Sequence, residues 1–416
     1  MRSTHGFTIF CLVLFLLDLY VFQAVKHVIS ANSGRSRYWI SFVYWSVSVA
    51  MILSLFFFLN TSPDLAGRRV RNYLFALIAG LLLAKLSAAI FLVIDDGRRL
   101  VQWIYNRFSN VGIIAGASSG EMMSRSTFLS WIGLAAGSTL LGSWVYGFGN
   151  KYSYKVRSLR IKDEQLPVSF RGLKIVQISD IHAGSFTDKA AVEKGVQKIL
   201  EQQPDLILFT GDLVNDMATE MQGYMDLFAR LEAPLGVYSI LGNHDYGDYV
   251  KWPIRGVSKE QNLLDLQKIH ADLGWKLLMN EHVVLQRGND RIALIGVENW
   301  SAKSAFPKRG LLSKAYEGCR EYPYKILMTH DPSHWEAEVQ TSYPDINLSL
   351  SGHTHGMQFG VELPGFRWSP VQYVYKQWAG LYENNGQKLY VNRGFGFIGY
   401  PGRVGIMPEI TVLELA

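Results

Sequence analysis

The sequence predicts a membrane domain of four helices followed by a mixed α/β domain. Two observations carry this prediction. Long uncharged apolar runs are confined to about the first 150 of the 416 residues, and from residue 151 short apolar runs alternate with charged helical patterns. The first texture is typical of membrane-spanning helices and the second of an α/β fold. We therefore divide the chain into domains at residues 1–150 and 151–416.

Four segments of the first domain are long and apolar enough to cross a bilayer as helices, which takes about 20 residues. The first could instead be a secretory signal peptide, but no convincing cleavage site follows it and three further spans come after it. Tyr and Trp residues crowd the expected interfaces, as amphipathic rings do at headgroup level. The predicted spans are residues 7–25, 39–59, 73–94 and 128–148.

Two charged side chains fall inside these spans. Asp18 lies in the first span and Lys85 in the third, and because odd-numbered spans run in the same direction, both lie near mid-depth. A charge at this depth is costly unless it is paired, so we predict an ion pair between them. A proton or ion pathway is the functional alternative, but few other polar residues join the two.

The stretch between the third and fourth spans has two parts. Residues 98–108 place apolar side chains on one helical face, which predicts a helix lying in the membrane interface. Residues 112–120, rich in Gly, Ala and Ser, predict a flexible link.

In the second domain six short apolar runs predict buried strands. Helices fit between several of them, including residues 187–202 and a helix that follows a capping box at Ser258 and Gln261. The predicted strands are residues 174–179, 206–210, 237–241, 291–297, 325–329 and 347–351.

Five of these six strands end in residues that can bind a metal ion. Because the carboxyl ends of strands in α/β folds converge at one edge of the sheet, side chains far apart in the sequence are expected to meet there. One His after a strand is more often a hydrogen-bonded or exposed residue than a ligand, but five metal-capable clusters at strand ends, four of them with a His, reverse that expectation. The clusters are Asp180 with His182, Gly211 with Asp212, residues 242–245, His330, and residues 352–355.

These candidate ligands offer oxygen and imidazole nitrogen, with no thiolate. Such a set suits Mn, Fe or Zn at a catalytic site better than a structural zinc ion. It is also too large for one ion, so we predict two divalent metal ions, which together can neutralise a phosphate and generate a nucleophile. The two cysteines, Cys11 in an apolar run and Cys319 far downstream, allow no disulfide framework.

The ordered series D-x-H, G-D, G-N-H-D, a lone His and G-H-T-H is highly specific. It resembles the calcineurin-like metallophosphoesterase superfamily, particularly its membrane-anchored bacterial branch, from about residue 173 to the C-terminus. The resemblance implies a two-sheet sandwich flanked by helices. It also implies a hydrolase that cleaves a phosphoester or pyrophosphate by in-line attack of a metal-bridging hydroxide.

The resemblance further implies a role for each motif residue. His244, which is not a ligand in the family, would orient the scissile phosphate and stabilise or protonate the leaving oxygen. Arg393, after the last His pair, could contact phosphate, although a structural or surface role is more common for such an arginine. The implied ligands are Asp180, His182 and His355 for the first ion, Asp212 between the ions, and Asn243, His330 and His353 for the second.

One position departs from the family pattern. Many members carry an Asp three residues after the bridging Asp, where it can orient the catalytic His, but here this residue is Asn215. An amide stabilises an imidazolium less than a carboxylate does. Either Asp245 or Asp216 takes that role, or the enzyme relies on weaker acid catalysis and prefers activated leaving groups.

The motif does not name the substrate. Aromatic residues within 366–382, namely Trp368, Tyr373, Tyr375 and Trp378, could form an apolar approach for a lipid tail or pack in the core. We rank a phospholipid, a lipid-linked nucleotide or a similar lipid-linked phosphoester ahead of a soluble diester. No basic, aromatic-interleaved surface favours a nucleic acid, so none is expected.

A different function class stays open, in which the four spans form a transporter or sensor and the second domain is a regulatory module. The complete ligand set argues against a domain without activity. Lys and Arg near the spans number nine on the side of both termini and seven opposite, which barely favours a cytoplasmic catalytic domain. Together with the resemblance to the membrane-anchored bacterial branch, this predicts a protein of the bacterial inner membrane, with the lipid bilayer as a partner.

Overall fold

The computed structural model describes residues 2–60, 65–108 and 124–416. It contains two compact units, Met1–Tyr146 and Gly147–Ala416.

The described residues of the first unit form four long helices. Each contains a stretch long and apolar enough to cross a membrane, and each holds one of the four predicted spans, the last of which runs one residue further. The fold prediction of a four-helix membrane domain is therefore confirmed. The helices are α1 (Arg2–Ile29), α2 (Gly34–Asn60), α3 (Leu65–Phe108) and α4 (Arg125–Gly147).

The predicted interfacial helix is not a separate element, because α3 runs without a break to Phe108. Ion pairs at i,i+3 spacing, Asp95 with Arg98 and Asp96 with Arg99, carry the helix across the polar segment where we expected it to end. The predicted flexible link at residues 112–120 lies outside the described residues.

The predicted ion pair within the membrane unit is confirmed. Lys85 Nζ contacts Asp18 Oδ1, and Asp18 is completely buried. Ser48 Oγ donates to the same carboxylate oxygen at 2.9 Å and accepts from Lys85 Nζ at 3.1 Å. Hydrogen bonds of this kind are what a charge pair needs when water is excluded.

The second unit is built on two six-stranded sheets and a separate hairpin. The strands are β1 (Lys155–Ile161), β2 (Lys174–Ile178), β3 (Leu206–Phe209), β4 (Val237–Ser239), β5 (Lys276–Leu277), β6 (Glu281–Arg287), β7 (Asp290–Gly296), β8 (Lys325–Met328), β9 (Leu348–Ser351), β10 (Val361–Leu363), β11 (Phe366–Trp368), β12 (Gly380–Asn384), β13 (Gln387–Val391) and β14 (Glu409–Leu415). The first sheet has the strand order β1-β14-β2-β3-β4-β5, the second has the order β12-β13-β9-β8-β7-β6, and β10 and β11 form the hairpin.

Helices cover the outer faces of the sheets. As predicted, Ser258 caps the helix Lys259–Asp272 by accepting a hydrogen bond from the Gln261 backbone N–H at 3.2 Å. The helices are α5 (Lys189–Leu200), α6 (Met225–Phe228), α7 (Lys259–Asp272), α8 (Leu312–Ala315) and α9 (Gln340–Ser342).

Both faces of the central strands are apolar because both are covered. Ile175 packs between the two sheets with Leu294 and Ile326, whereas its neighbour Val176 packs on the outer side against Val196 of α5. Alternate residues of a strand point to opposite faces, so a strand buried on both sides has the unbroken apolar run seen in the sequence. The result is the two-sheet sandwich flanked by helices.

Candidate metal centre

The metal-capable clusters meet at the carboxyl ends of five strands. β2, β3 and β4 are parallel neighbours in the first sheet, and β8 and β9 are parallel neighbours in the second. The expectation of a single sheet edge is therefore wrong. The cluster lies where the edges of two stacked sheets meet, because residues after β2 to β4 come from one sheet and residues after β8 and β9 from the other.

Two groups of potential metal ligands form at this edge. The first contains Asp180, His182 and His355, and the second Asp212, His330 and His353. In the first group, His355 Nε2 lies 3.1 Å from His182 Nε2 and 3.2 Å from Asp180 Oδ1. Donor atoms gathered this closely, with two imidazole nitrogens facing each other, fit around a cation.

Asp212 stands between the two groups. Its Oδ2 atom lies 3.1 Å from His330 Nε2 of its own group and 3.5 Å from His182 Nε2 of the other. Asp212 and Asp180 are both fully buried or nearly so. Two buried carboxylates need compensating positive charge, and Asp212 lies within reach of imidazole nitrogens of both groups.

The backbone at the site is held in an uncommon conformation. Five of the seven predicted ligands have left-handed φ values of 49° to 69°. Such conformations cost free energy in residues other than glycine and cluster at functional sites. They belong to Asp180, His182, Asp212, His353 and His355.

Glycines allow the strand ends to approach each other. A Cβ atom on Gly242 would lie 2.2 Å from Asp212 Oδ1, and one on Gly352 would lie 2.2 Å from Asp180 Oδ2. No side chain fits in either space.

Hydrogen bonds orient the imidazoles of the second group. His330 Nδ1 donates to the backbone carbonyl of Thr210 at 2.7 Å, which leaves Nε2 facing Asp212. Tyr375 donates its hydroxyl proton to Asp331 at 3.1 Å, and its oxygen lies 2.9 Å from His353 Nε2. The Nε2–H of His353 therefore donates to Tyr375, so Nδ1 is the free nitrogen, 2.8 Å from Asn243 Oδ1.

The electrostatics of the centre favour a cation. Burial alone would lower the pKa of His330, but the carboxylates of Asp212 and Asp180 raise it to about 10. Burial opposes ionisation of Asp212, yet the rings of His330 and His244 hold its pKa well below the usual value. Without a metal ion, the protein thus places a protonated ring beside ionised carboxylates.

His244 lies next to the two groups without belonging to either. Its backbone N–H donates to Asp212 Oδ1 at 2.9 Å, and its ring centroid lies 5.0 Å from that of His182. Its Nδ1 lies 2.8 Å from the backbone carbonyl of Asn215. The ring is thus oriented by a main-chain carbonyl, while the Asn215 side chain bonds to Ser185.

The other two residues singled out near the site have structural contacts. The Asp245 carboxylate accepts hydrogen bonds from the backbone N–H groups of residues 212, 213, 214 and 242, and so ties two strand ends together. The Arg393 guanidinium pairs with Glu362 and Glu409 in a buried cluster. These ion pairs give Arg393 the structural role that the sequence analysis offered as the alternative to phosphate contact.

Sequence reasoning missed several residues around the centre. Tyr249 accepts from Asn243 Nδ2 at 2.8 Å, and Phe306 packs edge-on against His353. Asp331 could have been noticed because it directly follows His330. Tyr249 is only six residues from its partner Asn243 but belongs to no motif. Phe306 and the Tyr375 hydroxyl carry no local signal, because both contact His353 from distant positions in the chain.

Comparison with known proteins agrees with this geometry. Residues 1–150 match the family model described as "Probable Calcineurin-like phosphoesterase, transmembrane domain", and residues 173–357 match "Calcineurin-like phosphoesterase". An uncharacterized metallophosphoesterase of Bacillus subtilis, YkuE, is 31% identical over 71% of this chain and 98% of its own length.

Two further relatives match over a smaller part of their length or at lower identity. A transmembrane protein with metallophosphoesterase domain from Danio rerio is 31% identical over 65% of this chain, and the match spans 60% of that protein. The UDP-2,3-diacylglucosamine pyrophosphatase LpxG of Chlamydia muridarum is 27% identical over 61% of this chain and 87% of its own length.

The fold and the site together define a membrane protein with an α/β metallophosphoesterase domain, which carries two groups of metal-capable residues. The chain belongs to the calcineurin-like phosphoesterase family.

Proposed function

We propose that this protein is a membrane-anchored hydrolase that uses two divalent metal ions to cleave a phosphoester or pyrophosphate. The observation that carries the proposal is the position of Asp212 Oδ2, which lies within 3.5 Å of imidazole nitrogens from both ligand groups. A carboxylate shared in this way is a hallmark of centres that hold two ions for phosphoryl chemistry.

The residues present fit two ions of the Mn, Fe or Zn type, because all donors are carboxylate oxygen, amide oxygen or imidazole nitrogen. Bound ions would offset the charge on the phosphate and make water a nucleophile at neutral pH. We assign the first ion to Asp180, His182, His355 and Asp212, and the second to Asp212, Asn243, His330 and His353.

His244 is the proposed proton donor to the leaving oxygen. Because the Asn215 carbonyl accepts the Nδ1–H, a protonated ring presents Nε2–H on its other side. That nitrogen can give its proton to the departing oxygen or hydrogen-bond to the phosphate. Tyr249, whose ring centroid lies 4.5 Å from that of His244, limits how far the imidazole can rotate.

A lipid-linked phosphoester or pyrophosphate, such as a phospholipid or a lipid-linked nucleotide, is the proposed substrate. Four membrane helices in the same chain support this choice, as does a relative whose name specifies a diacylated nucleotide sugar. We place the protein in a bacterial inner membrane with its catalytic domain on the cytoplasmic side, on the balance of flanking Lys and Arg.

Turnover of bis(p-nitrophenyl) phosphate by the detergent-solubilised full chain tests the proposal. With Mn²⁺ we expect hydrolysis that chelation abolishes, and that Asp212→Asn lowers by about 100-fold or more because both ions lose a ligand. Asp226→Asn, at an exposed carboxylate that pairs with Lys189 on the surface, is the control and should change nothing. A regulatory module of a transporter or sensor would show no metal-dependent turnover.

A further inference from the structure

The hairpin β10–β11 carries the most concentrated apolar surface of the second unit. Eleven large apolar side chains are exposed between residues 147 and 416, and six of them fall within residues 357–374. The other five, Val168, Tyr249, Leu264, Val284 and Leu311, are scattered. We call the six, together with Trp368, the hairpin patch; its exposed members are Met357, Val361, Leu363, Phe366, Tyr373 and Val374.

The two faces of this hairpin have the reverse of the usual polarity. Residues directly opposite in an antiparallel pair share a face, so Val361 with Trp368 and Leu363 with Phe366 form one face. Leu363 and Phe366 remain 61% and 57% exposed. A hairpin on a soluble protein normally turns such a face toward the core.

The polar face is the one held against the domain. Glu362 forms salt bridges with Arg157 and Arg393, and its cross-strand partner Arg367 donates to the carbonyl of Ala379. Arg367 also lies over the ring of Tyr382, at 5.0 Å. These contacts fix the orientation of the hairpin, so the outward apolar face is built into the fold.

The base of the hairpin lies close to the point where the chain leaves α4. Arg403 N–H donates to the carbonyl of Gly147, the last residue of α4, at 2.9 Å. The next residue, Val404, exchanges backbone hydrogen bonds with Gln358 and Gly360, at 2.8 and 2.9 Å. Gly147 is the first residue of the second unit and the last residue of α4, a helix long and apolar enough to span a membrane, and the hairpin starts two backbone contacts away from it.

The same segment begins and ends at the metal centre. Met357 is two residues beyond the candidate ligand His355, and Tyr375, which follows Val374, hydrogen-bonds to His353. A molecule whose chain lies along the patch would therefore have its polar end near the candidate ligands.

We propose that the hairpin patch lies in the interfacial layer of the bilayer and that the metal centre takes acyl-chain phosphoesters directly from that layer. The patch combines Leu, Val and Phe with Tyr and Trp, the mixture that favours the boundary between headgroups and hydrocarbon. The four spans keep it at the membrane, so even weak insertion is maintained. The proposed substrate class rests on the proposed function, whereas the insertion of the hairpin patch into the bilayer does not depend on it.

Insertion is measured on the full chain in vesicles of phosphatidylethanolamine and phosphatidylglycerol. Phe366→Cys, in a Cys11→Ala, Cys319→Ala background, carries an environment-sensitive fluorophore, and nitroxide-labelled lipids act as quenchers. Leu264→Cys is the matched control, since Leu264 and Phe366 are each 57% exposed. We expect lipid quenching at 366 to exceed that at 264 at least about threefold.

Equal quenching at the two positions would overturn the proposal. So would a label at 366 that is shielded from aqueous iodide but not quenched by lipid, because a second copy of the chain would then cover the patch. Either result is obtained without turnover.

The substrate class is tested with two esters that share a leaving group, p-nitrophenyl hexadecyl phosphate and p-nitrophenyl ethyl phosphate. We expect Leu363→Ser with Phe366→Ser to lower hydrolysis of the hexadecyl ester about tenfold and to leave the ethyl ester unchanged, with Leu264→Ser inert on both. Equal loss on both esters, or no loss on either, would overturn uptake from the bilayer. Absence of Mn-dependent turnover of both esters by the unaltered chain would instead sink the proposed function, whatever the quenching shows.

Discussion

The Nδ1 atom of His244 lies 2.8 Å from the backbone carbonyl oxygen of Asn215. A main-chain atom, which no substitution of the side chain removes, thus orients the candidate proton donor. We therefore predict that Asn215→Ala keeps kcat within about threefold of the unaltered protein, whereas His244→Ala lowers it by about 100-fold or more. Steady-state kinetics on an aryl phosphodiester measure both. A large loss in Asn215→Ala would mean that the amide, not the carbonyl, orients the ring.

The contact of His244 with the Asn215 carbonyl also predicts which leaving groups the enzyme cleaves fastest. A neutral carbonyl stabilises an imidazolium less than a carboxylate would, so proton donation by His244 is expected to be incomplete in the transition state. In a series of substituted phenyl phosphodiesters, log kcat should fall steeply as the leaving-group pKa rises, and more steeply in His244→Ala. A flat dependence would contradict this view of the acid.

Gly352 is expected to tolerate no side chain. A Cβ there would lie 1.9 Å from Ser179 Oγ and 2.2 Å from Asp180 Oδ2, so Gly352→Ala must displace a candidate ligand. We predict a loss of about 10- to 100-fold in activity or metal affinity, the range typical of disturbed ligand support. Gly223→Ala, where an added Cβ meets nothing within 4 Å, is the matched control. Equal activity of the two variants would show that the site relaxes around the methyl group.

Metal binding is expected to release a proton from His330. Its pKa is raised to about 10, so the ring is protonated at neutral pH without a metal, and ligation through Nε2 requires that proton to leave. Affinity should therefore rise with pH, by about tenfold per unit between roughly pH 6.5 and 8.5. His182 and His353, whose pKa values burial lowers, are already neutral there and add no proton. Calorimetry in buffers of different ionisation enthalpy measures the release, and a pH-independent affinity would rule it out.

Local pattern was enough to predict the strands and the residues at their ends. Asp180 and His330 follow short, unbroken apolar runs that are recognisable within a few residues, and the membrane helices are equally local. Local pattern did not show which of these strands belong to which sheet; only the family resemblance implied two sheets. The pairing of β14 with β2 in the first sheet joins residues more than 200 positions apart, which no local pattern reveals. The Tyr375 contact with His353 depends likewise on a chain reversal.

Two further features, the continuity of α3 and the orientation of the hairpin β10–β11, were not predicted because they depend on contacts between side chains. We expected a third span at residues 73–94 and a separate interfacial helix at 98–108, but α3 is continuous. Asp95 with Arg98 and Asp96 with Arg99 form pairs one turn apart along it, which favour the helix. In the hairpin, the sequence shows aromatic residues but not which face they take. The salt bridges of Glu362 and the exposure of Leu363 and Phe366 show that the apolar side points outward.

Breaking the buried pair of Asp18 and Lys85 from one side should destabilise the membrane unit strongly. Asp18→Asn leaves the Lys85 ammonium without its carboxylate among the helices, and breaking a buried pair from one side costs about 3–5 kcal/mol. We predict a fall in Tm of about 5–10 °C in detergent, with more than half restored in Asp18→Asn combined with Lys85→Met, which removes the orphaned charge. Asp96→Asn serves as the control, because its pair with Arg99 is exposed and such pairs contribute only about 0–1 kcal/mol.

If Asp18→Asn unfolds at the same temperature as the unaltered chain, the ion pair does not hold the helices together. If the double variant is no more stable than the single one, the loss lies in the hydrogen bond from Ser48, not in the unpaired charge.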